Sequence, residues 1–249
     1  MMLFERVCHR LLVEYSQPST QGLAASVTRK PGYRDAIVYD MEKMRAILDS
    51  LDEKMTPDQI RSIKLTQLHN VLGSAVIATA GIIRPDPMRG TFKWEVCGTA
   101  GPGSMAYGLV SALSGPDGVV PDRASVSSLA RDAWTKVGPS RQRLPLDDLT
   151  AHKKGQFDHP GHTQTLDDDG RLWGPDKGGD YLDYIYFPAG WEEDFLATME
   201  ESHRLFKEEF VGRPQLYLLE DSQMKMLGAF FFDANYLVKG DKGPSADWV

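Results

Sequence analysis

Trp94-Glu95-Val96-Cys97-Gly98-Thr99-Ala100-Gly101-Pro102-Gly103-Ser104 runs from an alternating strand pattern into a glycine loop and on toward an apolar helix. Phe92, Trp94 and Val96 alternate with Lys93, Glu95 and Cys97, so a strand over 91–97 turns one apolar face to a core and can present polar groups on the other. The glycines break that strand at Gly98, and a helix over 105–113 follows. Two readings of the loop stand side by side. The glycines make a tight strand-to-helix turn, or they let the backbone approach an anion to which the first free N–H groups of the helix point. An isolated GxG pattern does not choose between them.

Toward the N-terminus, residues 75–83 form a short run rich in β-branched side chains that ends at Arg84-Pro85-Asp86-Pro87, which predicts a strand buried on both faces and a turn into 91–97. Thr56, Pro57 and Gln59 make a capping box that opens a helix through about residue 72. Met41, Met44, Ile47, Leu48 and Leu51 line one face of a helix over 41–51. Residues 16–34 are rich in turn formers and read as loop with room for a short strand, and 1–15 read as an amphipathic helix.

Toward the C-terminus come a short strand at 118–120, the turn Pro121-Asp122-Arg123, and a helix over 126–137 with Leu129, Ala130, Ala133 and Trp134 inward. Residues 138–180 show no periodicity and read as a long covering loop, 181–187 as a strand. In a helix over 191–210, Glu192, Glu193 and Asp194 occupy the first turn, where the dipole favours them, and Phe195, Met199, Phe206 and Phe210 form a stripe. Two further strands are expected at 215–219 and 227–232. His203 reads as a boundary histidine, and Trp191, Phe195 and Phe230 to Phe232 as core completion in preference to an oligomeric surface.

The composition sets the outer limits. With 249 residues, 41% hydrophobic and 25% charged, 23 Gly, 15 Pro and 2 Cys, the chain is neither disordered, collagen-like nor a disulfide-stapled miniprotein. Cys8 and Cys97 are too few for a disulfide framework and lack zinc-site spacing, which points to a reducing compartment. Charges interrupt the apolar pattern of residues 1–15, unlike a signal peptide's core, and the weakly polar stretch at 73–83 is about half the roughly 20 residues needed to span a bilayer. No membrane association is expected. Residues 1–90 carry 12 basic and 10 acidic side chains, 91–140 carry 4 of each, and 141–249 carry 12 and 21, for a net charge of −7. The acidic last third argues against a nucleic-acid surface.

The order of two helices, hairpin, glycine loop, helix, strand and helix resembles the GNAT superfamily of acyl-CoA-binding acetyltransferases. That family's pyrophosphate loop is Gln/Arg-x-x-Gly-x-Gly/Ala; Gly101 and Gly103 supply its glycines, and Gly98 stands at the Gln/Arg position. A closer resemblance is to GNAT-like proteins of tailed bacteriophages, some virion-associated. It rests on Trp94-Glu95-Val96, Gly101-Pro102-Gly103, Tyr107, Pro121-Asp122-Arg123-Ala124-Ser125-Val126-Ser127, Ala133-Trp134, Leu146-Asp147-Asp148, Asp167-Asp168-Asp169 and Leu182-Asp183-Tyr184-Ile185-Tyr186, and covers about 75–187. The resemblance implies an α/β (α+β) fold with a mixed, mostly antiparallel central sheet flanked by helices. Residues 1–140 would hold the GNAT-like core with its N-terminal helices, and 141–249 a covering loop and a strand/helix extension completing the same domain.

The resemblance also implies a chemistry. The backbone of Val96 and Gly98 would hold the pantetheine arm of acetyl-CoA, and the N–H groups of Gly101, Gly103 and Ser104 its pyrophosphate. An amine, on a small molecule or a protein, would attack the thioester, a reaction that needs a base and a proton donor for the thiolate. Glu95 is the candidate base; its plain alternative is an ordinary strand carboxylate. The helix over 126–137, where many members carry an acidic tyrosine, has none, which leaves Tyr107 on the preceding helix, or a packed aromatic there. Arg123 is the candidate for gripping a substrate anion, while Asp122 and the caps Ser125 or Ser127 also explain that turn structurally. Asp158, His159, His162 and the aspartates 167–169 read as a solvated loop and not a metal site. Two functions remain: an acetyl-CoA-dependent N-acetyltransferase, or a catalytically degenerate module that contacts other structural proteins of a phage particle. Host cytoplasm or virion is the expected location.

Overall fold

The computed structural model describes residues 19–63, 65–84, 94–121, 133–134, 142–145, 165–166, 172–173 and 184–238. The N-terminal helix expected over 1–15 lies outside them. The stretch read as loop from 16 to 34 instead opens the sheet: β1 (Leu23–Lys30) and β2 (Tyr33–Asp40) pair antiparallel across Pro31-Gly32, with Gly32 at φ +75°. Small residues hide β1 from a hydrophobicity pattern. Ala24 packs on one side of the sheet and Ala25 on the other, with Leu23 and Val27 partly buried on the Ala25 side, so the fully buried apolar positions of β1 are alanines.

Helix α1 (Met41–Lys54) starts where the Asp40 carboxylate accepts from Lys43 N–H at 3.0 Å, and it buries Met44, Leu48 and Leu51. The capping box of Thr56 and Gln59 opens α2 (Pro57–Arg61) as the sequence predicts. The helix does not continue unbroken to residue 72. Ser62 donates its hydroxyl to the Gln59 carbonyl and Ile63 N–H reaches the Ile60 carbonyl, three-residue steps that close the turn; α3 (Leu65–Leu72) then begins afresh.

Strand β3 (Val76–Ile83) matches its expected position and is buried nearly throughout. Its partner β4 (Trp94–Ala100) does not stop at Gly98 but continues through Gly98-Thr99-Ala100. A bulge makes this continuation fit: Gly81 faces Gly98 and Ile82 faces Val96, so Cys97 is the extra residue. Then come α4 (Gly103–Ser114) and the two-residue β5 (Val119–Val120), which pairs parallel with β4. Ala133 and Trp134 are helical and Trp134 is buried; the remainder of that expected helix lies outside the described residues.

Within the segment read as a covering loop, β6 (Arg143–Pro145) forms a sheet edge, and β7 (Thr165–Leu166) and β8 (Leu172–Trp173) pair with each other. Strand β9 (Tyr184–Tyr186) sits between β5 and β6. The main sheet has seven strands in the order β1-β2-β3-β4-β5-β9-β6, with β4/β5 its parallel pair. The chain is thus a mixed α/β protein with a mostly antiparallel sheet.

Helix α5 (Gly190–Glu208) follows the predicted stripe. The two C-terminal strands are not formed. Residues 214–219 make a 3-10 turn, and 227–232 belong to α6 (Asp221–Val238). Met224 and Leu227, three apart, are both buried against the sheet, a helical spacing that outweighs the strand propensity of Phe230-Phe231-Phe232. His203 is interior, at 6% exposure, not at a boundary, because α5 sets it against Tyr39 of β2 with Tyr39 Oη and His203 Nδ1 2.8 Å apart.

Two clusters sandwich the sheet. One gathers Ala25, Ala36, Val38, Ile82, Trp94 and Val96 with Leu109 of α4 and Phe195 of α5. The other gathers Ile37 and Tyr39 with Leu48 of α1, Leu72 of α3, Phe206 of α5 and Leu227 of α6. Burial on this scale, about 25 cal/mol per Å² of apolar surface, is the main force holding the helices to the sheet.

Candidate functional site

The junction of β4 and α4 is built by its two glycines in different ways. Gly101 has φ +109°, and a Cβ there would stand 2.5 Å from the Ile77 carbonyl oxygen and 2.8 Å from Ala78 Cα. Only glycine lets the loop lie against β3 in this way. A Cβ on Gly103 would meet nothing within 4 Å, so packing does not account for that glycine. Pro102 is the N-cap residue of α4 and gives no side-chain hydrogen bond, and the first turn carries no acidic residue. Ala106 N–H is the first to close on the helix, reaching the Pro102 carbonyl at 2.9 Å. Gly103 and Ser104 are exposed, so the positive end of a twelve-residue helix opens to solvent.

Beside this junction β4 pairs with β5 at Trp94–Val119 and Glu95–Val120, and among the described residues no strand continues that pairing along 96–100. The described β4–β5 pairing thus covers only the start of β4, and the chain beyond it climbs to the helix N-terminus, the carboxyl end at which open α/β sheets place ligands. Val96 and Gly98 lie on that stretch of β4. Val96 itself is buried in the α4 cluster, and Gly98 lies under the Phe232 ring of α6, 3.0 Å from where its Cβ would stand.

Trp94 and Val96 face the α4 cluster, so alternation turns the half-buried Glu95 to the other side of the sheet. Tyr107 lies within the α4 cluster, 6% exposed, its ring edge-on to Trp134 at 5.2 Å between centroids. The structure thus does not bring these two residues together on one face. Arg123, the loop of Asp158, His159 and His162, and the aspartates 167–169 lie outside the described residues. Among the described residues no group of three or more His, Cys, Asp or Glu could hold a metal ion, and no helix is long and apolar enough to cross a membrane.

A second concavity lies between β2–β4 and α6, and sequence reasoning missed it. It encloses about 470 Å³ of empty space, part of it open to solvent, and is lined by Tyr33, Asp35, Gly81, Gly98, Lys225 and Phe232 among others. Asp35 is 7% exposed and its Oδ1 has no hydrogen-bond partner. Burial raises its pKa to about 6, against the lowering pull of the Lys225 charge, Thr28 and Lys30. Lys225 Nζ stands 4.2 Å from the centroid of the Tyr33 ring, and burial raises the Tyr33 pKa as well. The signal was an aspartate on the apolar face of a strand, in phase with Ile37 and Tyr39, visible only once 33–40 is read as a strand.

No family model matches the chain, and neither the curated proteins nor the solved structures contain a match to it.

Proposed function

We propose that this chain binds acetyl-CoA at the β4–α4 junction and transfers its acetyl group to an amine. The observation that carries the reading is the exposed N-terminus of α4, whose N-cap residue Pro102 gives no side-chain hydrogen bond, with a glycine at its first position that packing does not require. The shortness of the β4–β5 pairing among the described residues supports it, because an extended arm can use the strand edge from Val96 to Gly98 as a further strand would. The order of hairpin, glycine loop, helix and parallel strand agrees with the GNAT-like resemblance.

In this reading the N–H groups of Gly103 and Ser104, with the Gly101 backbone, hold the pyrophosphate. The amine nitrogen attacks the thioester carbonyl carbon, the C–S bond breaks, and the thiolate leaves on coenzyme A. Glu95 takes the proton that the attacking nitrogen loses. Arg123 is proposed to grip an acceptor's anionic group. Tyr107 was the candidate donor to the thiolate, and its packing against Trp134 favours a second reading, a GNAT-fold module without turnover that serves in a phage particle.

Calorimetric titration with acetyl-CoA separates these outcomes. Binding that weakens at least about tenfold in Gly103→Glu, equivalent to about 1.4 kcal/mol, supports the anion site. Thiol release with a primary amine panel, reduced in Glu95→Gln, supports the transferase; binding without release supports the module. Absence of acetyl-CoA binding contradicts the transferase and the anion site and leaves the module.

A further inference from the structure

We propose that the cavity between β2–β4 and α6 binds a small zwitterion of amino-acid size, its ammonium group on Asp35 and its carboxylate on Lys225. Three observations converge there. Among the described residues the buried Asp35 Oδ1 has no hydrogen-bond partner, and a buried carboxylate oxygen without a donor is unfavourable unless something supplies one. A concavity lies beside it, bordered by Gly81, Gly98 and Gly228. The space is small, about 470 Å³ even with the open solvent at its mouth included, which restricts any ligand to a small molecule.

The chemistry of the walls selects the ligand class. An ammonium group offers Asp35 Oδ1 a charged donor in addition to the Thr28 hydrogen bond and the Lys225 and Lys30 charges already acting on the carboxylate. Lys225, held over the Tyr33 ring on the same cavity wall, makes a simple cation a poor match and gives an anionic group its counter-charge. Tyr33 and Phe232 supply apolar surface for the short carbon frame between the two poles. The groups facing Asp35 are Thr28 and Lys30 from β1, Tyr33 from β2, and Lys225 and Asp221 from α6, with Cys97 of β4 beside Tyr33. Because ammonium binding requires the ionised carboxylate, affinity falls as pH drops below about 6. Gly98 borders both this cavity and the proposed acyl-CoA arm, yet the inference does not need a thioester, and its test uses none.

Equilibrium dialysis of the full chain against radiolabelled glycine, β-alanine and L-serine at millimolar concentration tests it, with methylammonium and acetate as single-charge probes. The expected result is saturable binding of at least one zwitterion at pH 8, tighter than either single-charge probe and about tenfold weaker at pH 5. Asp35→Asn removes the anionic pole, and Ala229→Trp fills the mouth from an exposed position on α6 without touching the buried wall. Binding should fall about tenfold or more in each. No zwitterion bound, single-charge probes bound equally well, or binding retained in both variants would each overturn the proposal.

Discussion

Gly101 and Gly103 stand two residues apart and answer to different demands. Gly101→Ala places a Cβ 2.5 Å from the Ile77 carbonyl at φ +109°, so urea unfolding should show a loss of about 2–4 kcal/mol, whereas Gly103→Ala should leave stability within about 1 kcal/mol of the parent. A loss at Gly103 equal to that at Gly101 would contradict this account of the loop. Asp35 and His203 give the protein opposite pH dependences. Asp35 has a folded pKa raised to about 6, so its ionisation opposes folding above that pH and the penalty is gone below the unfolded value near 4. His203 is pushed down to about 4 by burial, so its contribution is complete above about 6.5 and is lost as pH falls toward 4. Asp35→Asn should therefore raise stability by about 1–3 kcal/mol at pH 8, with the gain shrinking toward pH 4. Thermal melts across that range read it directly, and a gain that grows toward acid pH would show the sign to be wrong.

Elements with a local chemical signature were legible in the sequence; those defined by long-range pairing were not. The capping box at Thr56 announces α2 because both its hydrogen bonds lie within four residues, and Thr56→Ala should cost about 1 kcal/mol in chemical denaturation. The continuation of β4 through Gly98 depends on a bulge against β3, which no local pattern reveals. The same holds for β1, whose alanines are core only because a second strand and helices on both faces enclose them. Phe230, Phe231 and Phe232 carry strand propensity and are helical, since α6 is held by Met224 and Leu227 against the sheet. At the site, the glycine loop was readable as a helix entrance, while the short β4–β5 pairing and the Asp35 cavity needed the tertiary arrangement.

At the scale of the whole molecule, one sheet separates two apolar clusters that share few side chains. Leu48→Ala and Leu109→Ala, on opposite sides, should each cost about 2–5 kcal/mol and add to within about 0.5 kcal/mol in the double variant. Strong coupling between them would mean that the sheet transmits repacking from one side to the other. The acyl-CoA reading places its ligand at the carboxyl end of the parallel pair, so binding should be felt at one corner of the fold. The most direct test is a titration of the uniformly 15N-labelled chain with coenzyme A, following every assigned backbone amide. The account predicts the largest shifts at Gly103, Ser104 and Met105, with a second group along Val96 to Gly98. Saturating coenzyme A that leaves those amides unmoved, or shifts confined to another face of the sheet, would contradict it.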